Sequence, residues 1–512
     1  MNRNIYSVFS SRFPADRRAT FIETADGRRF SYADLDAQSA HLAGFLRGLG
    51  AKPGERVAVQ VEKSPQALFL YLACLRAGLI YVPLNPAYRQ AEIGYFLEDA
   101  APAIVVCAPE LRDMVSAAAG TRDIGHVYTL DSAGGGTLVD LAAAAAPNFD
   151  TAALAADATA VILYTSGTTG SPKGAMLSHA NLAANALALH QAWGFRPDDV
   201  LLHALPIFHI HGLFVACHTA LLNASTMLFL PKFDAGTVIA QLPRATVFMG
   251  VPTYYTRLLA HPGFGRETCR RVRLFTSGSA PLLAQTFEEF EARTGHRILE
   301  RYGMTETGMN TSNPLDGPRV PETVGPPLAG VSVRIVSNDG RDLPTGEVGQ
   351  LLVKGPNVFK GYWRQPDKTA EAFTADGYFR TGDLARRDAN GYVAIVGRSK
   401  DLIITGGLNV YPKEIETYID ELDGVAESAV IGLPHPDFGE AVTAVVVRAP
   451  GRADITEESL LQTLKQKIAG YKIPKRVFFV AELPRNTMGK VQKNVLRDRY
   501  RAQVRGQDSA AQ

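Results

Sequence analysis

Residues 164–174 read Tyr164-Thr165-Ser166-Gly167-Thr168-Thr169-Gly170-Ser171-Pro172-Lys173-Gly174. The apolar run Ala160–Tyr164 leads into them and reads as an interior strand; a helical stretch is expected from about Asn181 onward. Between Thr165 and Gly174 stand five hydroxyls, three glycines and one lysine. Glycine lets backbone N–H groups come close to phosphate oxygens. Hydroxyls add short donors, and Lys173 adds a mobile positive charge. The order is not that of a Walker A loop, which needs Gly-Lys-Ser/Thr: here Pro172 precedes Lys173 and Gly174 follows it. By composition alone an ordinary Ser/Thr/Gly surface loop is the competing reading, so the surroundings must decide.

The chain around this stretch alternates strands and helices. Arg56–Val61 reads as a strand, Ser64-Pro65 opens a helix with a capping hydroxyl and a first-turn proline, Gly78 ends it, and Leu79–Leu84 is the next strand. Such units imply a mainly parallel sheet covered by helices. Ile104–Cys107, Thr246–Met249 and Arg273–Thr276 continue the pattern, the last followed by a helix near Leu283–Arg293. The alanine-rich Leu141–Ala146 reads as a surface helix. After about Gly325 the runs become short and β-like (Val331–Val336, Gln350–Val353), and Asn390-Gly391 before Tyr392–Val396 is a hairpin signal. A third pattern starts near Lys400: strand Leu402–Thr405, helix Pro412–Asp420, strands Glu427–Ile431 and Val442–Val447, helix Glu457–Ile468, strand Val477–Val480. Beyond Tyr500 the chain is polar and expected to be mobile. The expected fold class is α/β: a large N-terminal domain of mainly parallel sheets covered by helices with a short β-rich subdomain, and a small mobile C-terminal α+β domain.

Composition narrows the function classes. The 512 residues exceed the ~250–300 at which single cores stop growing. Lys and Arg number 53 against 51 Asp and Glu, so no concentrated basic charge favours nucleic acid or an anionic membrane as partner. The 4 scattered cysteines form no CxxC pair, and the N-terminus lacks a secretory pattern; a reducing cytoplasm is expected. Val200–Pro231 contains no Asp, Glu, Lys or Arg and is long enough to span a bilayer, but it carries His203, His209, His211, His218, Pro206 and Asn223 and reads as buried core. His209 and His211 have an i, i+2 spacing suited to a strand, without a nearby acid to complete a metal site.

Thr165–Gly174 resembles the signature of the acyl-adenylate-forming superfamily, which includes acyl-CoA synthetases, peptide-synthetase adenylation domains and luciferases. Five further motifs of that superfamily follow in order: Tyr302-Gly303-Met304-Thr305-Glu306, Tyr378–Asp383, Gly397–Asp401, Gly406–Asn409 and Pro484–Lys490. The resemblance implies an N-terminal domain over 1–399 and a mobile C-terminal domain over 400–512, with the hinge at Lys400. It implies ATP and Mg2+ as cofactors, CoA as co-substrate, and two half-reactions: a carboxylate attacks the α-phosphorus of ATP and releases pyrophosphate, then the acyl group passes to a thiol. Thr165, Ser166, Gly167, Thr168, Thr169, Gly170, Ser171, Pro172 and Lys173 would cradle phosphates. Ser277, Gly278, Ser279 and Ala280 would wall the acyl pocket and touch adenine. Tyr302 would offer a flat face to adenine, Thr305 a donor to the α-phosphate, and Glu306 a carboxylate to Mg2+. Asp383 and Arg398 would take the ribose, Lys490 would bridge the attacking carboxylate and the α-phosphate, and His209 would line the acyl site and thiol path. Gly406 and Gly407 would admit the pantetheine chain. An exposed Lys490 is also open to a protein lysine acyltransferase, which would remove its charge.

The residue before Tyr302 is Arg301, where many relatives with monocarboxylate substrates carry an uncharged residue. Relatives reading Glu-Arg-Tyr-Gly-Met-Thr-Glu-Thr are malonyl-CoA synthetases, which implies that Arg301 holds the second carboxylate of malonate, with Arg257 assisting and methylmalonate as a further substrate. An ion pair of Arg301 with Glu300 is the structural alternative. A CoA ligase for an aliphatic or aromatic monocarboxylate, a module loading a carrier protein, and a non-catalytic nucleotide-binding relative stay open. Against the last two, no Asp lies in His209–Leu213 to hold an amino group, no carrier domain follows Lys490, and Lys490 and Glu306 are both present.

Overall fold

The computed structural model describes residues 3–508 apart from 147–148, 166–171, 406–407, 436–438, 453, 469 and 487–488. Ser64 caps the helix Pro65–Ala77 by accepting from the Ala67 N–H, and Gly78 closes it in the left-handed region at φ 72°. Strands Arg56–Gln60 and Ile80–Pro83 flank the helix and pair in parallel. Their sheet has seven strands, in the order Gly361–Tyr362, Lys173–Ser178, Thr159–Thr165, Ile80–Pro83, Arg56–Gln60, Ile104–Cys107, His126–Thr129. A second sheet has eight: Gly308–Ser312, Leu299–Met304, Leu274–Ser277, Val247–Gly250, Val200–His203, Thr226–Phe229, Thr20–Thr24, Arg29–Ser31. Its inner strands run parallel and both edge pairs are antiparallel. One apolar cluster joins side chains of both sheets, and every residue of Pro65–Ala77 is buried, which explains why that helix is apolar apart from Gln66 and Arg76, the latter paired with Asp36.

The β-rich stretch forms a four-stranded antiparallel sheet, Ser332–Val336, Gly349–Lys354, Phe379–Arg387 and Val393–Arg398, with its own small core. From Ile403 on, a five-stranded sheet and the helices Pro412–Asp420, Glu457–Lys467 and Lys493–Asp508 enclose two separate apolar clusters. The architecture is the expected α/β class with a small C-terminal α+β unit.

The strand before 165–174 and the helix expected from about Asn181 are present, as Thr159–Thr165 and His179–Ala192, but a strand between them was not anticipated: Lys173–Ser178 pairs antiparallel with Thr159–Thr165, Thr165 opposite Lys173. The alternation Lys173–Ser178 is too short and small-residued to announce a strand without its partner. Other expectations are corrected. His209 and His211 are not on a strand; His209 lies in a turn and His211 opens a π-helical turn, His211–Cys217. The helix near the alanine run is Thr137–Ala142, and the run itself leaves it. The polar segment beyond Tyr500 continues the helix Lys493–Asp508. Val200–Pro231 is buried core as expected, and no helix among the described residues is long and apolar enough to cross a membrane. Cys74, Cys107, Cys217 and Cys269 are buried free thiols.

Because Leu72 is fully buried at the centre of the shared core, Leu72→Ala should destabilise the protein by about 2–5 kcal/mol through lost burial and a residual cavity. Urea unfolding checks this; a loss under ~0.5 kcal/mol, the range of surface substitutions, would show that the helix is not embedded as described.

Candidate active site

The described residues flanking the glycine-rich stretch are tied to the helix Gln90–Ala100. Tyr95 donates to the Pro172 carbonyl at 2.6 Å, and Tyr164 donates to Asp99 Oδ2 at 2.5 Å. Ser166, Gly167, Thr168, Thr169, Gly170 and Ser171 lie outside the described residues, as do Gly406 and Gly407. Lys173 Nζ stands 5.0 Å from the ring centre of Tyr362, whose hydroxyl donates to Glu306 Oε1 at 3.1 Å. Tyr362 thus links the phosphate-loop lysine to the acid of the Tyr302–Glu306 motif. Sequence reading missed it, because Gly361–Tyr362 is a two-residue strand whose meaning comes from its partners, Met176 and Ala175.

Leu299–Met304 carries the motif to the end of its sheet. At Gly303 a Cβ would meet the Gly308 carbonyl at 2.2 Å, so only glycine permits the tight bend that follows. Thr305 is half-buried in that bend, and Glu306 is buried beyond it, not exposed at a strand end. Burial raises the Glu306 pKa, opposed by the Tyr362 hydrogen bond and by the charges of Arg398 and Lys490.

Asp383 and Arg398 are cross-strand neighbours, joined by a 2.7 Å contact from Arg398 Nε to Asp383 Oδ1. Tyr302 donates its hydroxyl to the other Asp383 oxygen. Burial raises the carboxyl pKa and Arg398 offsets part of that. Lys490 comes from the C-terminal unit, in a turn closed by Asn486: its N–H donates to Asn486 Oδ1 at 2.9 Å. A Cβ built on the neighbouring Gly489 would lie 3.6 Å from Thr253 Oγ1, so the turn packs on the helix Pro252–Leu259 of the large domain. The lysine is solvent-accessible yet stands in a cleft: burial and Arg398 lower its pKa, while Asp383 and Glu306 raise it.

A second cluster surrounds Arg301. Arg301 is 3% exposed, and its Nε and Nη2 have no hydrogen-bond partner among the described residues. Burial pushes its pKa down to about 10, which leaves it charged at neutral pH. No described ion pair joins it to Glu300, whose own pKa burial pushes up to about 8; successive strand residues point to opposite faces. At Gly278 a Cβ would meet Arg301 Nη1 at 2.2 Å, so glycine makes room for the guanidinium. His211 is fully buried with Nδ1 3.2 Å from Ser279 Oγ, and Ser279 itself adopts the left-handed φ of 72°. Ser277 Oγ, His209 Nε2 and His211 Nε2 are buried without a partner among the described residues. Ala280 follows, half-buried. Arg257 is not brought to this cluster: it stands exposed on the helix Pro252–Leu259, and no described contact joins it to Arg301.

Chemically, one end of the cleft offers hydroxyl and carboxylate partners suited to a nucleoside, the middle offers a lysine and a glutamate, and the other end a buried cation among donors. No cluster of three or more His, Cys, Asp or Glu among the described residues could hold a metal ion by itself. Glu306 is a hard oxygen donor in the middle of the cleft, and it fits a Mg2+ whose other ligands would come from phosphate oxygens and water.

This is the arrangement of an enzyme that activates carboxylic acids with a nucleotide. The AMP-binding enzyme family model matches residues 8–363, and the AMP-binding enzyme C-terminal domain model matches 414–490. A feruloyl-CoA synthase from Amycolatopsis sp is 37% identical over 93% of the chain and 94% of its own length. A malonate–CoA ligase from Arabidopsis thaliana is 35% identical over 92% and 85%. The ATP-bound crystal structure of MatB from Rhodopseudomonas palustris is 56% identical, covers 98% of the chain and 99% of its own, and superposes with a TM-score of 0.96; its apo form gives 0.85. The chain belongs to the AMP-binding enzyme family. It is an acid–thiol ligase that depends on ATP and Mg2+ and uses CoA as co-substrate.

The histidines yield a pH prediction. Burial lowers His179 to about 4, and His209 and His218 to about 3, from the ordinary 6.5. Between about 6.5 and these values the unfolded chain binds protons that the folded histidines refuse, so stability rises with pH through that window and falls on acidification. His218→Gln should flatten the slope between pH 6 and 4 by up to about 1.4 kcal/mol per pH unit. Urea unfolding at several pH values checks this; an unaltered slope would mean that His218 takes up its proton while folded.

Proposed function

We infer that the protein is a malonate–CoA ligase, which converts malonate to malonyl-AMP with release of pyrophosphate and then transfers the malonyl group to CoA. The observation that carries the reading is Arg301. A buried cation without a carboxylate partner costs several kcal/mol, which an anionic ligand would repay by forming charge-assisted hydrogen bonds to the free Nε and Nη2. Malonate has a second carboxylate to place there while the first reacts. The malonate–CoA ligase relative is consistent with this. Methylmalonate is a further substrate on the same contact, because one methyl group is worth only ~1–3 kcal/mol of discrimination.

In the first half-reaction the attacking carboxylate and the triphosphate are both anions, so the residues of the cleft supply positive charge and alignment. Lys490 bridges the reacting carboxylate oxygen and the α-phosphate, and Thr305 donates to the same phosphate. Tyr302 lies along the adenine, Asp383 and Arg398 hold the ribose, and Lys173 with the hydroxyls of its loop steadies the β- and γ-phosphates. Glu306 would hold Mg2+, which would supply positive charge beside the phosphates. His209, kept neutral by burial and by the nearby lysine, lines the acyl site without adding a charge of its own. For the second half-reaction the C-terminal domain turns about Lys400, withdraws Lys490 and brings Gly406 and Gly407 to the pantetheine path.

The feruloyl-CoA synthase relative favours a second reading, a monocarboxylate ligase in which Arg301 is structural. A pyrophosphate-release assay with malonate, methylmalonate, succinate, acetate, octanoate and 4-coumarate, with mass detection of thioesters, separates the two. Malonate is expected to lead, and Arg301→Ala should raise its KM by about tenfold or more, the loss of one charge-assisted contact of ~1.5–3 kcal/mol. A leading monocarboxylate, or an unchanged malonate KM in Arg301→Ala, would make the arginine structural. Separately, Lys400→Pro should leave acyl-AMP formation intact and abolish thioester formation; equal loss of both would contradict a hinge at Lys400.

A further inference from the structure

Lys63 is a buried lysine that no step above uses. It is 7% exposed, and no described carboxylate pairs with it. Its Nζ lies 2.7 Å from His203 Nδ1, 2.8 Å from the His203 carbonyl and 4.2 Å from the centre of the Phe229 ring. Lys63 follows the strand Arg56–Gln60 of the seven-stranded sheet, whereas His203 and Phe229 end strands of the eight-stranded sheet. The side chain therefore ties the two sheets together at their strand ends.

The tie continues toward the acyl site. Because the lysine donates to Nδ1, the imidazole carries its proton on Nε2, and Nε2 lies 2.9 Å from the Gly212 carbonyl. Gly212 sits in the first turn of the π-helix His211–Cys217, where a Cβ would meet the Pro206 carbonyl at 2.0 Å. A π-helical turn leaves the α-helical hydrogen-bond pattern and needs outside support. His211 is the first residue of that turn and lies against Ser279, and His209 stands two residues before it.

We propose that Lys63 is a positioning residue for the acyl site: its hydrogen bond to His203 Nδ1 fixes the Nε2–H tautomer that holds the Gly212 carbonyl, and this anchors the turn that aims His209 and His211. The inference rests on the assignment of that cluster to the acid substrate. It has a consequence of unusual sign, since a buried amine without an acid, its pKa driven well down by burial, is a burden on folding while its contact serves the site.

Lys63→Met keeps the length and apolar stem and removes the donor. In the purified full-length enzyme it should raise the KM for the preferred acid by about tenfold, the cost of ~1.4 kcal/mol of lost positioning, and shift the KM for ATP by less than about twofold. Its melting temperature should equal or exceed that of the unaltered protein. His203→Phe, which cannot reach Gly212, should reproduce the acid KM change, and His203→Gln, whose amide places an N–H near the Nε2 position, should restore most of it. An unchanged acid KM in Lys63→Met would overturn the proposal. So would a parallel loss for acid and ATP together with a lower melting temperature, which would make Lys63 a general packing residue. The acid used is whichever one the unaltered enzyme prefers, so failure of the malonate assignment would already appear before any Lys63 variant is compared. If Lys63→Met gives no folded protein, the contrast between His203→Phe and His203→Gln decides: equal KM values in the two would overturn the proposal.

Discussion

Asp383 holds two sheets of the molecule to one point. It accepts from Tyr302 at the end of the eight-stranded sheet and pairs with Arg398, its cross-strand neighbour in the four-stranded sheet, on the last strand before the C-terminal unit. A buried carboxylate needs such partners, because an unpaired one would take up a proton or leave the interior. The pair with Arg398 therefore does two things. It favours the anionic form of the Asp383 carboxyl at this end of the cleft, and it fixes the position from which the chain enters the segment at Lys400.

Charge in this cleft is arranged so that few groups are fully satisfied by the protein alone. Glu306 is balanced between burial, which favours its neutral form, and the charges of Lys490 and Arg398, which favour the carboxylate. Lys490 is subject to the opposite pair of influences. Because Lys490 belongs to a unit with its own cores, the balance at Glu306 depends on where that unit sits. Arg301 and Lys63 are the extreme members of the set. Each is a buried basic side chain with no carboxylate partner among the described residues.

The motifs were legible because each is a short run whose residue types carry their chemistry with them: an acid at 306, a lysine at 490, a Gly-Asp turn at 382–383. The parallel strands of the first half were also legible, since doubly covered strands read as unbroken apolar runs such as Ile104–Cys107. The hairpin strand Lys173–Ser178 was not, because it owes its conformation to pairing with Thr159–Thr165 more than to its own small residues. Tyr362 and Lys63 were missed for a related reason. Their partners lie 56 and 140 residues away in sequence, and nothing local distinguishes them from ordinary core and surface side chains.

By itself, then, the sequence determined the class of fold, the order of the motifs and the reactive groups each motif brings. These depend on hydrophobic period and on side-chain chemistry, both of which are local properties. Only the tertiary structure decided that Arg301 faces away from Glu300 with no described acid to meet it, that Glu306 is buried beneath Tyr362, and that Arg257 stands outside the cluster. Those outcomes turn on desolvation and on which distant side chain arrives at hydrogen-bonding distance, and neither exists until the two sheets and the C-terminal unit have packed.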